Sequence, residues 1–422
     1  MTDVPATAVR RQAAVIFVFV TIVIDVLAMG IIIPVLPHLV LDFEGGNDAS
    51  AAATYGFFGL VFAAAQFFFA PILGALSDRF GRRPVLLISV FGHGLDFVLM
   101  ALAPTLVWLF IGRVISGITA ASFSTANAYI ADITPPEKRA QSFGLVGAAF
   151  GLGFVIGPAI GGIAGEFDPR LPFWIAAGLC FVNAAYGYFV LPESLPPERR
   201  SAFNLRKANP VGSLGFLRQH GEVAWLAFVS VIFNTAFWVI PTTSVLYTGF
   251  RYGWTEGDVG VMLAVIGICN IVVQMLLVKP AVRLFGEPLT LRIGLGSAVV
   301  GMVIYGLAPT GWLFLIGIAF QSLAGLMGPS LQALMTRRVG ANEQGKLQGA
   351  LASAIGIAGM IGPLLFGQVY AWAISDGADL HMPGAAFLVA ALLNLVGLGV
   401  AWLATRGEKP IAEEPIVAAS AP

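Results

Sequence analysis

Residues 91–110 read FGHGLDFVLMALAPTLVWLF, and part of that stretch returns later: ALAPT at 101–105 recurs as GLAPT at 306–310, 205 positions on. The same offset relates Phe80-Gly81 to Phe285-Gly286, Gly112 to Gly317, Gly144 to Gly349, and Gly157-Pro158 to Gly362-Pro363. Five matches in one register indicate a duplicated chain. The repeated unit is strongly apolar. Of the 422 residues 58% are hydrophobic and 11% charged, with a mean hydropathy of +0.86, whereas soluble domains carry about 25% charged residues. Most of the chain therefore belongs in a lipid bilayer.

A helical span needs ~20 mostly apolar residues. Twelve stretches qualify, at about 13–36, 52–75, 84–103, 106–130, 141–164, 171–192, 222–247, 257–279, 289–308, 311–335, 346–372 and 384–405. The first is too long for a signal-peptide core and has no small-residue cleavage site after it, so it reads as a retained helix. The expected fold is all-α: twelve transmembrane helices in two six-helix halves that run in the same sense, as parallel repeats do. The halves are expected at 1–192 and 222–405, with a polar cytoplasmic linker at 193–221 and a cytoplasmic tail at 406–422. All of the 23 lysines and arginines except Arg113, Arg170 and Arg251 fall on the side of the N-terminus. The positive-inside rule then places both termini in the cytoplasm.

Lys+Arg and Asp+Glu balance at 23 each, giving no sign of a nucleic-acid partner. Cys180 and Cys269 lie apart in apolar stretches and suggest neither a disulfide nor a metal site. The glycines of GLGFVIG lie inside a span and make no dinucleotide fingerprint. With no cofactor motif and no nucleophile–base pair, transport has to run on an ion gradient.

Between spans two and three lies GALSDRFGRRP, Gly74 to Pro84. Arginines at a membrane edge fit a simple anchor, but the whole pattern resembles the signature loop of the major facilitator superfamily. Gly74, Leu76, Asp78, Arg79, Gly81, Arg82 and Arg83 all match it. The resemblance implies that Asp78 docks on the start of helix eleven and that the arginines meet an acid closing helix four, here Asp132, as a cytoplasmic gate. Span five carries GLGFVIGPAIGG, whose small residues permit close helix approach and whose proline bends the helix. Gly153, Gly157, Pro158, Gly161 and Gly162 also fit the antiporter motif of that superfamily. It implies packing of helix five on a helix of the other half. LDFVLMALAPTLVWLFIGRVISGITAAS, AYIADIT and QGKLQGALAS look like the tetracycline/proton antiporters and their drug-efflux relatives. Those proteins carry a further acid in helix nine; here Ala298 stands near its place.

Charged residues within the spans are Asp25, Asp96 and Arg113, each costing roughly 2.5–3.5 kcal/mol at mid-helix on insertion scales. Asp96 and Arg113 flank the turn at Pro104-Thr105 equally, so an antiparallel hairpin holds them at one depth. They can pair or share a polar cavity. The 205 offset puts Gly301 and Ile318 in their places, so both charges vanish together from the second half. One account is an ion pair that fixes the hairpin. The other is function, the default for intramembrane ionisable groups. Asp25 has no evident partner, and low dielectric penalises an unpaired charge, which suits a group that binds and releases protons. His93, one turn before Asp96, sits on a glycine-lined face and stays outside this core set. Gln66, Asn127, Asn234, Gln274 and Gln321, with Phe237 and Trp238, suit an amphipathic aromatic substrate or interhelical hydrogen bonding.

The resemblance thus implies a proton-coupled efflux antiporter in the bacterial inner membrane. It would act as a monomer, with protons and a small drug-like molecule, tetracycline among the candidates, as its partners. An uptake symporter for a sugar or metabolite would leave the span-five motif unexplained. A membrane enzyme would need a catalytic constellation that is not visible.

Overall fold

The computed structural model describes residues 6–120, 122–134, 139–201, 210–340, 343–375 and 382–407. Positions 202–209 of the expected linker and the tail beyond 407 lie outside the described residues. Among the described residues nine helices are long and apolar enough to cross a membrane. One of them, Glu256–Leu307, turns at Gly286 (φ 71°) and makes two spans. The shorter apolar helices Leu106–Thr119 and Gly151–Phe167 mark two more. These are twelve transmembrane helices in two halves.

Helix one (Ala6–Ile32, resuming as Leu36–Phe43), helix two (Asp48–Phe80) and helix three (Arg82–Ala101) open the first half. Helix four (Leu106–Thr119, then Ser122–Ile133), helix five (Arg139–Phe167) and helix six (Leu171–Val190) complete it. In the second half, helix seven is Gly221–Phe237 and Val239–Tyr252, and helices eight and nine share Glu256–Leu307. Helix ten runs from Gly311 to Arg337, helix eleven is Gln344–Ile374 and helix twelve Ala385–Ala404.

Several expected spans are broken, and the breaks obey the repeat. Helix one is interrupted at 33–35 and helix seven at Trp238; Ile33 and Trp238 are 205 apart. Pro34 and Pro241 each lack the N–H that would continue the ladder, and Ile33 bonds instead to the Gly30 carbonyl in a tighter turn. Helix four stops at Thr119, and helix ten passes through a 3-10 turn at Ala324–Leu326, again 205 positions on. The turns after helices two and eight match too, with Gly81 at φ 107° and Gly286 at φ 71°, a region where a side chain is strained.

The apolar core shows how the halves meet. At the end opposite the Gly74–Pro84 loop, one cluster joins residues of both halves, from Ile31, Val35 and Phe97 to Tyr247, Phe314 and Phe387. Toward the loop end it divides. Val18, Leu86, Tyr129 and Leu191 form a core of the first half alone, while Phe216, Leu291, Leu331 and Leu347 form one of the second half alone. The halves are fused at the far end and packed separately at the loop end.

Candidate functional site

Asp25, Asp96 and Arg113 converge inside the first half. Asp96 on helix three is 1% exposed and Asp25 on helix one 4%. Asp96 and Arg113 meet through a residue that the sequence reading missed. The Ser116 hydroxyl donates to Asp96 Oδ2 and accepts from Arg113 Nη2 at 2.9 Å. Ser116 lies one turn from Arg113 on the same helix face, which was the available signal. Arg113 Nη2 also lies 3.2 Å from Met100 Sδ, and its guanidinium sits 5.7 Å from the Phe62 ring centre. Gly112 makes room for this, since a Cβ there would come within 3.0 Å of Asp96 Oδ1. His93 faces Asp25, with Nδ1 at 3.6 Å from Oδ1. Asp25 Oδ1, His93 Nδ1, Asp96 Oδ1 and Arg113 Nε are all buried without a hydrogen-bond partner. Such groups are rare in folded proteins and call for an explanation. In the second half the place of Asp96 and Ser116 is taken by Gly301, packed against the backbone of Gln321.

The loop after helix two closes on its own half. Arg82 bonds Asp132 Oδ2 through Nε at 3.2 Å, as the resemblance implies, and Asp78 through Nη1 at 2.6 Å. Arg83 donates to the Tyr188 carbonyl, while Arg79 is exposed beside Phe80. Glu193, not singled out in the sequence, accepts from the Arg82 backbone N–H at 2.9 Å and so caps helix three. Asp78 has its carboxylate on Arg82 rather than on helix eleven, and a Cβ at Gly74 would meet nothing within 4 Å. Both agree with separate cores at this end.

Helix five packs in two directions. Cβ atoms at Gly153, Gly157 and Gly161 would strike helix one, at Val26, Gly30 and Ile31, within the same half. Gly162 faces the other half, where a Cβ would meet Gly260 Cα on helix eight at 3.0 Å; Pro158 contributes its carbonyl, 2.6 Å from a Cβ built on Gly260, and Val155 lies against Gly267. The helix that carries the motif therefore packs on helix one of its own half and on helix eight of the other. Its repeat supplies the second crossing: Gly367, 205 positions after Gly162, lies against Gly56 on helix two, with a built Cβ 2.7 Å from Gly56 Cα. At the same end Thr255 Oγ1 donates to Glu166 Oε1 at 3.0 Å, and His38 Nδ1 lies 3.7 Å from Glu256.

The polar and aromatic set is dispersed. Gln66 is half-buried and Asn127 exposed. Asn234 donates to the Ser230 carbonyl of its own helix at 2.8 Å. Phe237 is exposed, whereas Trp238 packs on Gly359 and Gly362 of helix eleven. Gln274 donates across to the Gly325 carbonyl at 3.2 Å, in the helix-ten break. Gln321 is buried with Oε1 unpartnered.

Comparison with known proteins agrees with this architecture. A family model described as the Major Facilitator Superfamily matches residues 18–311 and 252–421. The chain belongs to the major facilitator superfamily, a family of multi-pass membrane transporters. It is 38% identical over 389 residues to the tetracycline resistance protein, class C, of Escherichia coli, covering 92% of this chain and 96% of that protein. The class H tetracycline resistance protein of Pasteurella multocida is 34% identical over 407 residues, covering 94% and 98%. Among solved structures, the human organic anion transporter MFSD10 (TETRAN) superposes with a TM-score of 0.69 at 24% identity, covering 93% of this chain and 99% of that one. That likeness concerns the fold.

Proposed function

We propose that this chain is a proton-coupled antiporter that exports a small amphipathic compound of the tetracycline class by alternating access. The observation that carries the proposal is the set of buried Asp25 and Asp96 with half-buried Arg113 in the first half, which has no charged counterpart in the second. Unpaired polar atoms on both carboxylates leave room for a proton. Protonation of Asp96 removes the anion that Ser116 and Arg113 hold, and so loosens helix three from helix four. The joined core at the far end and the divided core at the loop end describe the cytoplasm-facing member of the cycle, if the basic loop end lies inside. Arg82, Asp78 and Asp132 then form half of a latch that closes on helix eleven in the opposite state, with Gly74, Gly81, Arg79 and Arg83 shaping the loop. The substrate class is taken from the tetracycline resistance proteins. Gln66, Asn127, Asn234, Phe237, Trp238, Gln274 and Gln321 are proposed to contact substrate during the cycle. The protein acts as a monomer in a bacterial inner membrane. The halves are 1–192 and 222–405, and the linker 193–221, the tail 406–422 and both termini are cytoplasmic.

The test is expression in an efflux-deficient bacterial strain over a panel of tetracyclines and other amphipathic drugs. It is paired with pH measurement in inverted vesicles energised to an acidic interior. Protection is expected, together with proton release from the vesicle interior when tetracycline is added. Growth gained on a sugar, with no protection against any compound, contradicts efflux.

A further inference from the structure

His93 lies beside the coupling set yet has no role in it. The ring is 1% exposed and stacks on Phe97 four residues on, with planes at 12° and centres 5.7 Å apart. That stacking fixes its plane, and Nδ1 is the ring nitrogen that lies near Asp25 Oδ1. At 3.6 Å the two atoms are near enough to interact and too far apart for a hydrogen bond. Both are buried and unpartnered. Neutral imidazole with its hydrogen on Nε2 presents a lone pair at Nδ1, so two acceptors would face each other. A hydrogen on Nδ1 removes that conflict, and the imidazolium is the form that also adds charge.

The charges of the surroundings support this. Helix one brings Asp25, helix three Asp96 and helix four Arg113 through Ser116. Helix six brings the neutral Cys180 and Asn183, whose amide donates to the Thr21 carbonyl at 3.0 Å. Two carboxylates against one guanidinium leave the buried cluster one positive charge short. A single proton makes it neutral, and His93 is one turn from Asp96, so that proton can pass between Asp96 and the His93–Asp25 pair.

We infer that His93 shares the transported proton with Asp25, forming an imidazolium–carboxylate bridge between helices three and one when loaded; the inference rests on the coupling role of Asp25, Asp96 and Arg113. The step is simple. A proton from water forms one N–H bond at Nδ1, and the imidazolium then donates to Asp25 Oδ1; loss of the proton reverses both. Charge-assisted bonds of this kind run about 2.7–2.9 Å, so loading draws helix one toward helix three by somewhat under 1 Å. Helix one is also the element on which Gly153, Gly157 and Gly161 of helix five rest, so this shift reaches the helix that crosses to the second half.

The test uses full-length protein in lipid bilayers with ¹⁵N-labelled histidine, titrated over roughly the range in which imidazole changes charge. The chain has four histidines, and the spectrum of His93→Gln identifies the His93 signal by difference. An imidazolium signal from His93 is expected in the wild type and is expected to vanish in Asp25→Asn. In vesicles with tetracycline as probe, His93→Gln should lose gradient-driven uptake at least about tenfold while retaining tetracycline exchange without a gradient. A His93 ring that stays neutral throughout, or is indifferent to Asp25→Asn, overturns the inference. So does full coupled uptake in His93→Gln. If Asp96→Asn keeps full coupling as well, the failure lies with the coupling site as a whole. If Asp96→Asn is uncoupled and His93→Gln is not, it lies with His93 alone. The spectroscopic arm needs no substrate and stands if tetracycline is not carried.

Discussion

Gly367→Ala should open the far end of the molecule. At that position an added Cβ would lie 2.7 Å from Gly56 Cα and 2.8 Å from the Ala52 carbonyl oxygen, both backbone atoms of helix two. Carbon atoms rest at about 3.5–4.0 Å, so helices two and eleven must part by roughly 1 Å, with no flexible side chain to absorb the change. Overpacking of this sort costs about 1–3 kcal/mol. The cost falls only on the state in which the two helices touch. A bias of that size between two states shifts their ratio by about 5- to 150-fold. Electron–electron distance measurement between spin labels at Asp48→Cys and Ser375→Cys reads the far ends of these two helices, with Cys180 and Cys269 replaced by serine. A longer distance should gain population at the expense of the shorter one. Gly349→Ala is the control, because a Cβ there meets nothing within 4 Å. An unchanged distance distribution in Gly367→Ala, with transport equal to the control, would show that this crossing does not hold the far end shut.

Arg82→Gln removes the partner of both Asp78 and Asp132; at about 1.5–3 kcal/mol for bonds between charged groups, transport at equal membrane level should fall at least tenfold. Wild-type rates would remove the loop from the gate. Ser116→Ala breaks the bridge between Asp96 and Arg113 and should impair coupled transport, with Ser116→Thr restoring most of it. Equal loss in both variants would point to packing instead of the hydroxyl. A cysteine at Ser201, whose backbone N–H bonds the Asp78 carbonyl at 3.1 Å, should resist membrane-impermeant reagents in intact cells. Labelling there would reverse the proposed topology.

Much of this was legible in the chain because it is local. Span length, the 205-residue offset and the loop residues Asp78 to Arg83 depend on neighbours in sequence. The offset reached further than the helix count: applied to Gly162 it leads to Gly367, and applied to Gly81 it leads to the second positive-φ turn at Gly286. The breaks at Pro34 and Pro241 carry their own marker, and Pro329 marks the one at Ala324–Leu326, since its missing N–H leaves the Gly325 carbonyl to Gln274. The stop at Thr119 carries no such marker. What could not be read depends on how helices rotate about their axes. Ser116 bridges Asp96 and Arg113 only because helices three and four present those faces to each other. Glu193 caps helix three from 111 residues away. His93 and Asp25 are 68 positions apart and meet only when helices one and three both pack on helix six. A polar residue within a span also looks the same whether it faces a cavity or its own backbone. Asn234 bonds to its own helix, and Gln321 lies against Gly301.

The most direct measurement is substrate-dependent proton flux in inverted vesicles, comparing wild type with Asp96→Asn at matched membrane levels. The wild type should exchange protons for tetracycline. Asp96→Asn keeps the shape of the side chain but cannot carry the charge, so its flux should fall to the level of empty vesicles. Full coupled flux in Asp96→Asn would make the buried carboxylate a structural feature of the helix three–helix four hairpin and contradict the coupling site.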